Sequence, residues 1–400
     1  MKRVTSNKEV VLGVTGSIAA YKACEIASRL VELGARVTPV LTRSATELVG
    51  AATFEAITGR RAITAMFEPL QNPEVEHIAV ATRADLFVIA PATANILAKA
   101  ANGLADDWLS TTLLATRAPI LFAPAMNCNM YTHPATQANI ETLRARGCQF
   151  VGPGEGRLAC GTIGVGRMID PATVIEAALP LLSSQKELTG KRVLITSGPT
   201  REPIDPVRYI GNRSSGKMGR ALAVEALIRG AAVTVVTGPA STPFPYGVEV
   251  VSVETALQMA EAVQARAGQA DIVIGAAAVA DYRVEHPYET KQKRGREALS
   301  FSLVENPDII AQVGAAKGPN QVVVGFAAES DDLMANAARK LQQKHLDLLV
   351  ANQVGLPDSG FGTDTLRAAF ISARGASDIC LLSKEELAEK IFDQIVALRA

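Results

Sequence analysis

Residues 211–219 read GNRSSGKMG, and Gly211, Gly216 and Lys217 satisfy the spacing G-x-x-x-x-G-K. In a phosphate-binding P-loop the next residue is Ser or Thr, whose hydroxyl holds magnesium. Here it is Met218, and a thioether is a poor ligand for a hard cation that prefers oxygen. The metal-holding half of the motif is missing. The half that cradles an anion on backbone N–H groups at a helix start survives. The competing reading is a glycine turn capped by Ser214 or Ser215. Four other stretches join small residues to hydroxyl or amide groups: GVTGSIAAYK (13–22), TRSAT (42–46), APATAN (90–95) and GLADDWLSTT (103–112). Each suits a phosphate and a planar ring, and each taken singly is better read as a turn. G-x-G-x-x-G is absent, which disfavours a nicotinamide site.

Two kinds of reactive side chain stand out beside these turns. Cys160 lies in GPGEGRLACGTIGVGRM (152–168), where six glycines fall between Gly152 and Gly166. Such a segment cannot be a helix or central strand and reads as a mobile loop or lid. A thiol there is mostly protonated at neutral pH, since its reference pKa is about 8.5, and can act as an acid. Lysines supply the second kind. Lys291 lies in the basic run ETKQKRGRE (289–297), and Lys340 and Lys344 share one helix face. Solvated surface is the ordinary fate of such charges.

Composition narrows the classes. The chain has 400 residues, 48% apolar and 20% charged, with 40 basic against 40 acidic side chains. That describes globular domains with no net field for nucleic acid or an anionic membrane. No apolar run approaches the ~20 residues of a membrane span, and MKRVTSNKEVV is too short in apolar residues for a signal peptide. Five scattered cysteines without CxxC spacing point to a reducing cytoplasm. Neither HExxH nor GxSxG occurs, so zinc-protease and hydrolase readings lose their motifs.

The elements that must position these groups are strands and helices in alternation, the pattern of parallel α/β architecture. EVVLGVTG, ARVTPVLT, ADLFVIAPAT and APILFAPAMN read as strands, and YKACEIASRLVELG reads as a helix closed by Gly34. Ligands in such folds bind outside the C-terminal strand ends. After the polar linker QKELTG the pattern restarts at KRVLITSGPT, followed by the strands AAVTVVTGP, DIVIGAAAVADY and VVVGFAAES. The expected organisation is two doubly wound Rossmann-like domains, 1–186 and 187–400.

Taken together, these motifs carry a resemblance. The strand-end stretches, PAMNCNMY (124–131) and the flap ACG around Cys160 are similar to the flavin-containing cysteine decarboxylases, which implies a flavodoxin-like first domain. GPTREPIDPVRYIGNRSSGKMG, AAAVADYR, the lysine-rich loop, ENPDII and VVGFAAE are similar to phosphopantothenate–cysteine ligase. Both units in one chain resemble the bifunctional coenzyme A biosynthesis family, which joins phosphopantothenoylcysteine decarboxylase to that ligase. Gly211 stands where serine is expected and KQKR where KIKK is common.

The resemblance implies CTP-dependent joining of cysteine to 4'-phosphopantothenate through an acyl-cytidylate, then FMN-dependent decarboxylation to 4'-phosphopantetheine. It makes His77, Asn127 and Cys160 catalytic in the first domain, with Asn127 on the substrate carboxylate and Cys160 as proton donor. FMN contacts fall on Gly16, Ser17, Ser44, Thr93 and Ser110. In the second domain Asn212 donates amide hydrogen bonds to the acyl-nucleotide, and Lys291 stabilises the phosphates. Ala276, Ala277, Ala278, Asp281, Asn306, Pro307, Asp308, Ile309, Phe326, Lys340 and Lys344 surround CTP. Magnesium rides on the triphosphate, with Asp281 its one protein partner. The family builds its flavin site at a trimer contact and its ligase as a dimer, so a homo-oligomer, a dodecamer, is expected. A flavodoxin-like electron carrier and a regulatory binding module are the alternatives. His77, Asn127 and Cys160 together weigh against the second.

Overall fold

The computed structural model describes residues 2–66, 76–159, 161–293, 300–329, 333–353 and 363–399. The chain divides into two compact units, Met1–Ser184 and Gln185–Ala400.

In the first unit, β1 (Glu9–Val14), β2 (Arg36–Leu41), β3 (Leu86–Ala92), β4 (Ile120–Pro124) and β5 (Gln149–Phe150) pair in parallel in the order β2-β1-β3-β4-β5. This is flavodoxin order, which reverses between β1 and β3. Right-handed crossovers from a reversing order put helices on both faces. All seven residues of β3 are accordingly buried, as strands covered on both sides must be. The helix Lys22–Glu32 packs through Ala23, Ile26, Ala27 and Leu30, one stripe at the helical period. Gly34 ends that helical segment at φ +88°. The glycine-rich segment forms an antiparallel hairpin, β6 (Gly154–Arg157) and β7 (Ile163–Arg167). Hydropathy alternation could not show this pairing, because glycine carries no side chain to alternate.

The second unit begins with β8 (Arg192–Ser197), β9 (Arg201–Pro203), β10 (Tyr209–Gly211), β11 (Ala232–Thr237), β12 (Glu249–Ser252) and β13 (Ile272–Gly275). It continues with β14 (Tyr282–Val284), β15 (Leu303–Glu305), β16 (Val322–Glu329), β17 (Leu348–Gln353), β18 (Thr365–Ser372), β19 (Gly375–Ala376) and β20 (Cys380–Ser383). Six strands run parallel in the order β12-β11-β8-β13-β16-β17, and β18 adds antiparallel with β19 and β20 on it. In sequence order the parallel part reads 3-2-1-4-5-6, the Rossmann arrangement, with its reversal between β8 and β13.

Alternate residues of these strands feed two separate cores. Val193, Ile195, Val233, Val235, Ile272 and Ile274 join one, while Leu194, Val236, Val273 and Val323 join the other, because successive side chains face opposite sides of a sheet. DIVIGAAAVADY is not one strand. The ladder stops at Gly275, and residues 276–281 run as a loop until β14. A run of alanines has strand-like hydropathy but little side-chain surface to hold it in a sheet.

Candidate functional site

The reversal between β8 and β13 opens a cleft of about 600 Å³ at the C-terminal strand ends of the second unit. Thr196 at the end of β8, the loop Ala276–Asp281 after β13, Asn306–Ile310, Phe326 of β16 and Asn352 of β17 line it. Asn212, Ser214, Ser215 and Lys217 come from the stretch between β10 and the helix Lys217–Ile228. Lys340, Lys344 and Lys384 complete the wall. The cleft therefore brings together Asn212 and the residues expected around CTP, with the exception of Lys291. Lys291 stands apart from that lining, exposed on the loop after β14.

Each wall is tied by identifiable bonds. The Asn212 side-chain N–H groups donate to the carbonyls of Ala278 (3.2 Å) and Val279 (3.0 Å). This differs from the expected donation to a ligand. The amide's donors hold the alanine loop, and its Oδ1 is left as the group to offer, an acceptor. Asn306 does similar work, donating through its side chain to Ala280 O at 2.9 Å while its main-chain N–H reaches Asp281 O at 2.8 Å. Asp308 caps the helix Ile309–Ala316 through Ala311 N–H and pairs with Lys344 at 2.9 Å. Gly211 has its own reason to lack a side chain: a Cβ there would stand 2.7 Å from Thr200 O, so the expected serine would push β10 off its neighbour.

Lys384 was not foreseen from the sequence. It begins the final helix, Lys384–Arg399, is 6% exposed, and donates to Thr363 O. Burial, and after it the charge of Lys217, pushes its ammonium below the ordinary lysine range. Lys217 in turn pairs with Asp364 at 2.6 Å, and this bond holds the Asp364 carboxyl low. Without a motif around it, Lys384 reads in sequence as the first residue of an ordinary amphipathic helix. Among the described residues no three His, Cys, Asp or Glu side chains converge as a metal site. Asp281 is an exposed carboxylate without such companions.

In the first unit the strand ends again carry the polar groups. Gly16 approaches Ser44 so closely that a Cβ on Gly16 would lie 2.4 Å from the Ser44 Cβ. The two turns after β1 and β2 can meet only with glycine there. Thr15 staples β1 to β3, its hydroxyl donating to Pro91 O at 2.7 Å and accepting from Thr93 N–H at 3.1 Å. Ser17 caps the turn Ile18–Tyr21, and Thr93 stands at the N-cap of the helix Ala94–Asn102 with no side-chain cap bond. Thr42 at the end of β2 has a buried hydroxyl without a hydrogen-bond partner. Ser110 is placed otherwise. It is 2% exposed, and its hydroxyl closes a capping box with Asp107, so it shapes the turn of residues 103–110 from behind.

Asn127 follows β4, and its side chain accepts from Asn129 N–H at 2.9 Å to cap the helix Cys128–Thr132. The β6–β7 hairpin is fastened to this segment by Met126 N–H donating to Gly166 O at 3.0 Å. Cys160 itself lies outside the described residues. His77 is half-buried at the start of the helix Glu76–Arg83.

Comparison with known proteins adds to this geometry. Residues 1–182 match the family model described as Flavoprotein, and residues 188–398 match the DNA/pantothenate metabolism flavoprotein C-terminal domain. The chain is 44% identical over 394 residues to the coenzyme A biosynthesis bifunctional protein CoaBC of Escherichia coli strain K12, covering 98% of this chain and 97% of that one. It is 43% identical to the proteins of the same name from Vibrio vulnificus strain CMCP6, over 395 residues, and Bacillus subtilis strain 168, over 398, each with 98% of both chains covered. The chain belongs to the CoaBC family of coenzyme A biosynthesis bifunctional proteins. Its Flavoprotein match precedes its C-terminal-domain match, and both fall within the length aligned with those relatives. No helix among the described residues is long and apolar enough to cross a membrane.

Proposed function

We propose that the chain carries out two consecutive steps: CTP-dependent ligation of cysteine to 4'-phosphopantothenate in residues 187–400, then FMN-dependent decarboxylation to 4'-phosphopantetheine in residues 1–186. The observation that carries this reading is the lysine-walled cleft at the switch point of the C-terminal module, on one chain with a flavoprotein module of flavodoxin order. The CoaBC relatives, similar over nearly their whole length, support it.

In the ligation the substrate carboxylate attacks the α-phosphorus of CTP and pyrophosphate leaves. The cysteine amine then opens the acyl-cytidylate and CMP departs. Negative charge gathers on phosphate oxygens in both steps, and fixed ammonium groups stabilise it more in the transition state than before it. Lys340, Lys344 and Lys384 line the space for that charge; Lys291, on its loop, is the further cation the reading assigns to the phosphates. The loop Ala276–Ala278 presents backbone and small side chains, leaving room for a flat base beside Phe326. Magnesium arrives with the triphosphate, whose oxygens supply most of its ligands, with Asp281 the protein carboxylate at hand.

FMN would sit at the strand ends of the first unit. The Gly16–Ser44 approach, the hydroxyls of Ser17 and Thr93 and the unpaired buried hydroxyl of Thr42 fit a phosphate-bearing ligand there. When bound, FMN supplies the reversible two-electron oxidation that lets carbon dioxide leave with its electrons delocalised. The chain's own residues hold the substrate carboxylate (Asn127), position or move a proton (His77) and return a proton (Cys160). Exposed Ile18, Tyr21, Met130 and Ile163 in the first unit, and Val207, Tyr209, Tyr282 and Leu303 in the second, are apolar surface that a homo-oligomer would cover; its trimeric and dimeric contacts, closing into a dodecamer, are what the family resemblance implies. The four described cysteines are free thiols, which suits a cytoplasmic setting.

Nucleotide dependence tests the ligase half. With phosphopantothenate and magnesium, CTP should yield pyrophosphate and an acyl-cytidylate that accumulates until cysteine is added, and ATP should substitute poorly. Pyrophosphate release that ignores phosphopantothenate would refute the assignment.

A further inference from the structure

The hairpin that leads to Asn212 also grips the lysine-rich loop, and it does so through a buried carboxylate. Asp205, in the turn between β9 and β10, is 3% exposed. Its Oδ1 accepts from the main-chain N–H groups of Val207 (2.9 Å) and Arg208 (2.8 Å). Its Oδ2 accepts from Arg208 Nε (3.0 Å), Arg208 Nη2 (2.5 Å) and the main-chain N–H of Gln292 (3.2 Å). Arg208 Nη2 donates again to Gln292 O at 2.9 Å, and Tyr288 N–H donates to Ile204 O at 2.9 Å. One ion pair thus holds both main-chain polar groups of Gln292, the residue directly after Lys291.

A turn of this kind needs only the two bonds to Oδ1, which Asn could supply as well. The bonds to Oδ2 do something else: they commit a full negative charge to arginine and to a loop more than eighty residues away in sequence. Donors face both oxygens, and among the described residues no acceptor is there to take a proton from the group, the surroundings of an ionised carboxylate. The Arg208 guanidinium beside it holds the carboxyl well below the usual range, so the charge is present throughout neutral pH.

We infer that Asp205 is a positioning residue for Lys291, acting through Arg208 and the Gln292 main chain. The inference rests on the ligase reading above, in which Lys291 meets the nucleotide's phosphates. It explains why an exposed lysine on a loop can serve as a fixed charge: the backbone beneath it is anchored, so its ammonium is placed before the phosphates arrive.

The test uses the full chain with FMN bound and three variants, Asp205→Asn, Lys291→Gln and the double substitution. Asp205→Asn puts an N–H group toward donors and should release the loop, seen as faster hydrogen exchange at Gln292. The kcat for CTP-dependent pyrophosphate release should fall by up to about 10²-fold, the scale of a small misplacement, with KM for CTP little changed. The double variant should be no slower than Lys291→Gln alone, because two residues acting through one group do not add. Decarboxylation of supplied phosphopantothenoylcysteine should be unaffected and reports that the chain is folded. Multiplicative losses in the double variant, or wild-type ligation in Asp205→Asn despite faster exchange, would overturn the inference. So would a Lys291→Gln variant that ligates normally. Absence of CTP-dependent pyrophosphate release from the unaltered chain would instead remove the ligase reading itself.

Discussion

An ammonium group buried beside another ammonium opposes folding, and Lys384 is held in that position next to Lys217. Perturbed groups of this kind cluster at functional sites. Because its folded pKa lies below the ordinary lysine value of about 10.4, the folded chain binds fewer protons than the unfolded one between those two values. Stability contributed by this group therefore rises with pH across that window. Lys384→Met should stabilise the second unit by roughly 1 kcal/mol in urea unfolding and weaken CTP-dependent pyrophosphate release; lower stability together with unchanged ligation would show that the lysine is structural. Asn212→Asp tests the neighbouring wall. A carboxylate cannot donate to Ala278 O and Val279 O and would repel both, so ligation should fall steeply while decarboxylation continues. Loss of both activities in that variant would point to misfolding. At this scale the sequence disclosed residue types and their neighbourhoods better than their bonds. GNRSSGKMG led to Asn212, but nothing in the stretch says that its amide faces two carbonyls sixty-six and sixty-seven residues on. Ser110 shows the reverse case, a hydroxyl well placed in sequence whose bonds are spent on a capping box.

The helices Lys217–Ile228 and Lys384–Arg399 both begin at the cleft, and an ion cluster built on a buried arginine holds them together. Arg229, 1% exposed, donates to Glu225 at 2.7 Å and to Asp393 at 2.6 Å, and its guanidinium lies 5.9 Å from the Phe392 ring centroid. Removing the arginine strands Glu225, whose side chain is 9% exposed, while the 53% exposed Asp393 can turn to solvent. Arg229→Ala should destabilise the second unit by about 1–3 kcal/mol, seen as an earlier melting transition, with FMN absorbance unchanged. A shift no larger than that of a surface substitution would mean the cluster is solvated in solution. Long apolar strands and amphipathic helices were legible in the sequence because burial repeats at periods of two and 3.6 residues. The short antiparallel pairs β6–β7, β9–β10 and β14–β15 were not. Each is three to five residues a strand, too short to show a period. These are the elements that hold the flap and present Asn212.

At the scale of the molecule, alternation of strands and helices and the restart at KRVLITSGPT pointed to two α/β bodies, and the structure shows two, in flavodoxin and Rossmann strand orders. Strand order itself came only with the family resemblance, since sequential apolar runs do not reveal which neighbours they pair with. If each unit sustains its own chemistry, residues 1–186 alone should purify yellow, self-associate and decarboxylate phosphopantothenoylcysteine. Residues 187–400 should be colourless and release pyrophosphate from CTP. A monomeric first fragment saturated with FMN would contradict a flavin site shared between subunits. The central claim, two coupled steps on one chain, is tested most directly by anaerobic incubation of the full-length protein with 4'-phosphopantothenate, cysteine, CTP and magnesium, following pyrophosphate, carbon dioxide and product mass together. Equal amounts of pyrophosphate and carbon dioxide, and a product with the mass of 4'-phosphopantetheine formed without any added electron acceptor, are the predicted result. A product that retains the cysteine carboxylate, or carbon dioxide released only when an outside acceptor is supplied, would contradict it.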